Sequence, residues 1–179
     1  MSLSETNATL RRFFAGLSEY VFETELGVAD PPLIDYVSQL LYRFMRADGL
    51  KVKGEAAGPW VDLSGLMLDA QLRVGEARRE VHRQLGDFAL FWAGLFPESL
   101  RRTAGAQTSD RFSDYCQQGK RAYLIASQLT VSDDAEAPGP VLERLSHEFE
   151  MCAYGLREVR REWERRDGGD SPHGPLLFG

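Results

Sequence analysis

One short stretch combines residue types that bind metals in helical proteins. Glu143, His147, Glu150 and Tyr154 are spaced three or four residues apart, so a helix places them on one face. Di-iron bundles use inward-facing Glu-x-x-His pairs on two helices. Here the spacing is Glu-x-x-x-His, occurs once, and falls opposite the apolar seam of the predicted helix. We therefore predict that this face is exposed to water and that it holds no metal.

Two further groups of polar residues could form a ligand site. One lies around His82, close to the strongly apolar segment of residues 88–96, and the other, which includes Tyr115, lies on a separate predicted helix. His82 follows Val81 and precedes Leu85 on an apolar stripe, which is the usual place for a half-buried, hydrogen-bonded histidine. The alternative is a ligand pocket in which tyrosine and lysine side chains contact an anion, although a tyrosine-rich core face is the simpler interpretation. The candidate ligand-binding residues are His82, Arg83, Asp87, Glu98, Tyr115, Lys120 and Tyr123.

The two cysteines do not suggest nucleophilic chemistry. Cys116 and Cys152 lie on or beside predicted apolar stripes, where free cysteine packs as a small hydrophobic side chain. A catalytic thiol needs a base such as histidine nearby, and no histidine is local to either cysteine. The sequence also contains no phosphate-binding glycine loop, HExxH motif or CxxC pair. We therefore predict buried, reduced thiols, no catalytic residues and no cofactor.

The element that must position the His82 group is the stretch of residues 66–97. Apolar residues recur every three or four positions throughout it, which predicts a helix with one continuous apolar face. Its N-terminal part carries Arg79 and Arg83 off that stripe, on a face that we expect to be wet, with Arg83 paired to Asp87. Residues 88–96 contain no charge, which indicates a segment buried on all sides. A break at Gly86 is the alternative to a continuous helix.

Further helices are predicted on both sides of this central one. Asp30-Pro31-Pro32 is a typical helix start, and the short connection before it predicts an antiparallel helical hairpin. Another helix begins at Ser109 or Asp110. A last helix, over residues 140–166, carries a heptad seam. Five glycines fall inside the predicted helices, where close helix crossings would offset their cost: Gly16, Gly75, Gly94, Gly119 and Gly155.

The heptad seam of the last helix has two interpretations. Either it packs only on the chain's own central helix, because every bundle helix needs one apolar stripe, or its far end binds another protein or a second copy of the chain. In the second case Leu156, Val159 and Trp163 form the interface. The two interpretations differ in one observable, since an association surface leaves Val159 and Trp163 exposed in the monomer.

Together these patterns predict an all-α fold, a single-domain helical bundle of five to six helices around a buried central helix. The domain covers residues 1–166, and residues 167–179 form a flexible Gly/Pro-rich tail. A net charge of -6 disfavours nucleic acid as a partner, and no apolar run is long enough for a membrane span. We expect a cytoplasmic location. The predicted function is a non-catalytic interaction or regulatory module; the alternative is a small-molecule-binding protein or enzyme with a pocket near His82, Arg83, Asp87, Tyr115 and Tyr123.

Overall fold

The computed structural model describes residues 3–46, 59–102, 111–129 and 137–168. These residues form helices and no strand, which confirms the all-α prediction. The helices in chain order are α1 (Leu3–Glu19), continued by a π-helical segment (Tyr20–Glu25), α2 (Pro31–Arg46), α3 (Pro59–Leu72), α4 (Gly75–Leu95), α5 (Pro97–Arg102), α6 (Arg111–Gln128), α7 (Gly139–His147) and α8 (Phe149–Asp167). Residues 169–179 of the predicted tail lie outside the described residues, whereas Asp167 still belongs to α8. The sequence also predicts an irregular connection over residues 50–65; residues 50–58 lie outside the described part, and the prediction for the remainder is wrong because it is the start of α3.

The first two helices form the predicted hairpin. Asp30 caps α2 by accepting a hydrogen bond from the backbone N–H of Leu33 at 3.3 Å, as the Asp-Pro-Pro signal predicts. Gly27 has a φ of 67°, a conformation that favours glycine at the turn after a helix. Arg11, early in α1, lies over the ring of Tyr42, late in α2, at 4.7 Å. The two helices therefore run antiparallel.

The stretch of residues 66–97 is not one helix, and its break lies earlier than Gly86. α3 ends at Leu72, Val74 is extended, and Gly75 has a φ of 59° before α4 begins. From there α4 runs unbroken through Gly86 to Leu95, where Pro97 begins the short α5. α3 and α4 pack against each other, but the apolar stripe is interrupted at the break, where Val74 and Ala77 are exposed. The prediction of a continuous passage through Gly86 is confirmed, and that of a single helix from residue 66 is wrong.

Two expectations about the faces of α4 are also wrong. Arg79 and Arg83 are buried, because Arg79 donates to the backbone carbonyls of Ala126 and Ala137 and Arg83 is held by carboxylates. Conversely, the charge-free segment is not enclosed on every side. Phe88, Trp92 and Phe96 follow one another along one edge of α4 and are only partly buried, whereas Phe91 is fully buried.

The predicted last helix is two helices. Glu148 leaves helical geometry, with φ -103° and ψ 25°, between α7 and α8. The seam stays in register across this single residue, so the apolar side chains of both helices enter one core. That core is a single cluster of buried side chains that extends from Phe14 in α1 to Val159 in α8.

Candidate functional site

The strongest polar cluster in the described part of the chain surrounds Asp87, on α4. Its carboxylate is 3% exposed and accepts four hydrogen bonds. Oδ1 accepts from the hydroxyls of Tyr36 at 2.6 Å and Tyr123 at 2.8 Å. Oδ2 accepts from Arg83 at 2.8 Å and Arg43 at 2.9 Å. Three helices therefore meet at one carboxylate, α2 through Tyr36 and Arg43 and α6 through Tyr123.

Arg83 links this carboxylate to the surface. It donates to Asp87, one turn ahead on α4, and through its other nitrogens to Glu80, one turn behind, with Nε 2.8 Å from Oε2 of Glu80. Glu80 also accepts from Gln84 at 3.0 Å. The guanidinium is thus shared between a buried and a partly buried carboxylate, which is the bidentate geometry that arginine suits best.

Tyr123 reaches Asp87 because α4 has no side chain at position 86. A Cβ built on Gly86 would lie 2.6 Å from the Tyr123 ring, so the ring occupies the space that any larger residue would need. Tyr36 packs edge-on against the same ring, with centroids 6.4 Å apart. The sequence marked Gly86 only as a possible helix break. In the structure, its missing side chain leaves the space in which the Tyr123 ring packs.

The electrostatics of the cluster keep its two tyrosines protonated, Arg83 charged and Glu80 ionised at neutral pH. Burial, with the nearby charge of Asp87, raises the pKa of both Tyr36 and Tyr123 above the usual tyrosine range, so both hydroxyls remain donors. Burial disfavours the charge of Arg83, but its hydrogen bonds to Glu80 and the charge of Asp87 outweigh that effect and raise its pKa. The hydrogen bond from Arg83 in turn lowers the pKa of Glu80. This is the chemistry of a satisfied structural ion cluster rather than of a group that exchanges protons near neutral pH.

His82 lies apart from this cluster. It lines a cleft between α3, α4 and α6, and burial, followed by the charges of Arg78 and Arg121, lowers its pKa. The cleft is not lined by Arg83, Asp87, Tyr115 or Tyr123. Of the pocket hypothesised from the sequence, the structure thus places His82 alone at a cleft, and puts the other four in the buried interior.

The remaining predicted ligand residues are scattered. Glu98 pairs with Arg160 of α8 at 2.7 Å. Lys120 of α6 pairs with Glu150 of α8 at 2.9 Å, beside an open groove that α6, α7 and Glu150 line. Tyr115 is fully buried on α6. The structure brings Arg83, Asp87 and Tyr123 together and separates them from His82, Glu98, Lys120 and Tyr115.

Sequence reasoning missed Tyr36 and Arg43, although both complete the cluster. They lie seven residues apart on α2, hence on one side of that helix, and flank its apolar stripe. Their partner is 44 to 51 residues away in the chain, and no spacing rule connects residues so distant. An unpaired buried aspartate is costly. Had the burial of Asp87 been known, it would have indicated that another helix must supply hydrogen-bond donors to its carboxylate.

The residues first considered for metal binding face water, as predicted. Glu143, His147, Glu150 and Tyr154 are all exposed. Within residues 3–46, 59–102, 111–129 and 137–168, no group of three or more histidine, cysteine, aspartate or glutamate side chains is arranged to hold a metal ion. Cys116 and Cys152 are both buried and are not joined by a disulfide, as expected. Burial raises the pKa of Cys152 to about 12.

The predicted interface residues of α8 are covered by the chain itself. Leu156 packs against Gly94 of α4, and Val159 is 1% exposed. Trp163 meets the rings of Phe13 and Phe14 of α1 edge-on, with centroids 5.8 and 5.3 Å away. Of the two interpretations of the seam, the structure therefore favours packing within the chain. Leu156, Val159 and Trp163 do not form the exposed surface that association requires.

No helix in the described ranges combines the length and apolar character that crossing a membrane requires. Comparison of the chain with family models, with curated proteins and with solved structures yields no match.

Proposed function

We propose that the protein is a non-catalytic interaction module and that it contacts its partner through the outward face of α3. The observation that carries the proposal is the exposure of three apolar side chains at one place. Leu68 and Leu72 are 60% and 75% exposed, and Val74, directly after the helix, is 83% exposed. They are the three most exposed large apolar side chains in the described part of the chain.

These residues belong to a helix that is apolar on its inner side as well. Leu63 and Ala70 of α3 are buried, and α3 packs on α4. Leu68 and Leu72 lie one turn apart and continue the apolar surface outward. An exposed apolar patch of this kind marks a contact site.

The charges beside this stripe favour a second copy of the chain as the partner. Asp69 and Arg73, each next to one of the exposed leucines, pair within α3 at 3.0 Å. When two α3 helices pack antiparallel about a twofold axis, Asp69 of each copy faces Arg73 of the other. Residue i then meets residue j and j meets i, which is the self-complementarity that a twofold interface requires.

The Asp87 cluster supports a non-catalytic role. Its charged groups are paired with one another, its two tyrosines are held protonated, and its carboxylate is sealed beneath three helices. A substrate would have to displace these hydrogen bonds to reach the carboxylate. The cluster instead joins α2, α4 and α6 by hydrogen bonds. It thereby stabilises α4, the helix against which α3 packs.

The expected association is weak. Full burial of each apolar side chain contributes about 1.5–3 kcal/mol. The six side chains of a twofold contact, three from each copy, exceed an association cost of about 4–15 kcal/mol only modestly. We therefore expect a dissociation constant of about 10 µM to 1 mM, in the range of small, transient interfaces.

Sedimentation velocity between about 10 µM and 1 mM tests the proposal. Leu72→Glu should raise the dimer dissociation constant at least about tenfold, because it places a charge in the centre of the contact. The matched control is Tyr154→Glu, which replaces an exposed aromatic residue of α8 and should leave association unchanged. A wild type that stays monomeric throughout, or equal effects of both changes, would refute the twofold contact.

A charge-exchange experiment tests the antiparallel arrangement itself. Asp69→Arg alone and Arg73→Asp alone should each abolish self-association, because like charges then face each other across the axis. Mixing the two variants should restore a heterodimer, since each altered residue now faces its opposite. Failure of the mixture to associate, while the wild type does, would contradict this arrangement.

A further inference from the structure

Beyond the proposed contact on α3, the cleft beside His82 has the composition of a ligand site. It lies between α3, α4 and α6 and encloses about 180 Å³. Apolar side chains from all three helices line it, among them Met67, Leu85 and Ile125. Its polar lining comes from two arginines, two glutamines and His82. The cleft thus has a mostly apolar lining, and its two arginines make one part of it positively charged.

The two arginines are available to an incoming anion. Arg78 and Arg121 are exposed and flank the cleft from α4 and α6. Both line the same cleft as His82, and their charges lower its pKa after the larger effect of burial. Neither arginine has an ion-pair partner among the described residues, in contrast to Arg73, Arg83 and Arg160, which pair with carboxylates.

His82 supplies a second, independent indication. Its Nδ1 is buried and has no hydrogen-bond partner within the described ranges. A buried polar atom without a partner is costly. Because solvent does not reach Nδ1, a small rotation of the imidazole would bring this atom to an occupant of the cleft and complete the bond. With its pKa lowered, the imidazole is neutral at pH 7 and, with its proton on Nδ1, can donate one hydrogen bond.

We infer that this cleft binds a small organic carboxylate, with the carboxylate between Arg78, Arg121 and His82 and an apolar body against Met67, Leu85 and Ile125. The volume sets the size, because apolar cavities of about 150 Å³ hold a benzene ring. Arginine favours the planar carboxylate, and the charge requires an anionic rather than a cationic or neutral head group. The inference is independent of the contact proposed for the outward face of α3, whose exposed residues Leu68, Leu72 and Val74 do not line the cleft.

Benzoate is the probe that matches this size and charge. Titration of the ¹⁵N-labelled protein with sodium benzoate should produce saturable shifts at His82, Leu85 and Arg121, with a dissociation constant of about 0.1–10 mM. Benzyl alcohol, which keeps the ring and loses the charge, should bind at least about tenfold more weakly. Sodium phosphate, which keeps a charge and lacks the ring, should also bind at least about tenfold more weakly.

Substitutions identify the groups that bind the head group. Arg78→Gln and Arg121→Gln should each weaken benzoate binding at least about fivefold, and both variants should fold because the two side chains are exposed. His82→Phe should weaken benzoate binding without weakening that of benzyl alcohol. The matched control is Arg161→Gln, an exposed arginine on α8, which should leave binding unchanged.

Three results would overturn the inference. The first is the absence of saturable shifts around the cleft at 50 mM benzoate. The second is equal binding of benzoate and benzyl alcohol, which would mean that the cationic side selects nothing. The third is an equal loss of affinity in Arg161→Gln and Arg121→Gln, which would mean that benzoate responds only to overall charge. None of these results bears on self-association, so failure here is distinguishable from failure of the α3 contact.

Discussion

Asp87 is the residue on which the interior most depends, because it is a buried charge that cannot be left alone. Moving a carboxylate out of water is costly unless it is paired and hydrogen-bonded. Here two arginines and two tyrosines satisfy both oxygens. Replacement of the whole cluster by apolar residues need not destabilise the protein. Removal of one member does, because the others remain buried.

We therefore expect Asp87→Ala to lower the free energy of unfolding by about 3–5 kcal/mol. It removes the buried partner of Arg83 and the acceptor of the Tyr36 and Tyr123 hydroxyls. The measurement is urea denaturation followed by ellipticity. The control is Asp69→Ala, which removes an exposed ion pair with Arg73 and should cost less than about 1 kcal/mol. Similar losses in the two variants would show that Asp87 is not an essential part of the core.

At the scale of elements, glycines decide how closely the helices approach. A Cβ on Gly94 would lie 2.6 Å from Cβ of Leu156, and one on Gly119 or Gly155 would overlap the ring of Phe149 or Phe22. These three glycines confirm the predicted close crossings. Gly16 does not, because nothing lies within 4 Å of its missing side chain, and Gly75 lies at the helix break with positive φ.

The contrast between Gly94 and Gly16 yields a paired prediction. Gly94→Ala should lower the free energy of unfolding by about 1–3 kcal/mol, because it overpacks the α4–α8 crossing, where Cβ of Leu156 cannot rotate away. Gly16→Ala should raise it by up to about 1 kcal/mol, because alanine favours the helix and meets open space. Thermal and urea denaturation of both variants measure these changes. A stabilising Gly94→Ala would contradict the close crossing.

The breaks in the helices show why element boundaries were harder to predict than element type. An apolar pattern that stays in register along the sequence, as it does across Gly75 and across Glu148, carries no sign of an interruption. The helix is interrupted at Gly75, whose φ is 59°, whereas the sequence pattern offered only Gly86 as a break and placed Gly75 inside the helix. At Gly86 the helix continues, because the missing side chain is filled by Tyr123 rather than by a turn.

The Asp87 cluster could also be predicted only in part from the sequence. The spacing of Arg83 and Asp87 on one helix predicted their pairing, and the structure confirms it at 2.8 Å. That the pair would be buried could not be predicted, because its burial depends on Tyr36 and Arg43 of a distant helix. The Arg78–Arg121 side of the cleft likewise joins α4 to α6, and no local pattern relates the two arginines.

At the scale of the whole molecule, one continuous core joins the first helix to the last. The buried cluster includes side chains from α1, α2, α4, α6, α7 and α8. The α8 seam that was a candidate for external association packs against α1 and α4. The three most exposed large apolar side chains among the described residues lie instead on α3 and just after it. The proposed self-association surface and the proposed carboxylate cleft therefore use different residues of α3.

A core of this kind predicts that the described helices unfold together. Leu40→Ala in α2 and Leu156→Ala in α8 remove fully buried side chains and should each cost about 2–5 kcal/mol. Because both residues belong to one cluster, each change should shift a single transition, and the midpoints from far-ultraviolet ellipticity and tryptophan fluorescence should coincide. The exposed Leu68→Ala is the control and should shift the midpoint little. If Leu156→Ala separated the two probes into distinct transitions while Leu40→Ala did not, α8 would be an independent unit, and the single-domain prediction would fail.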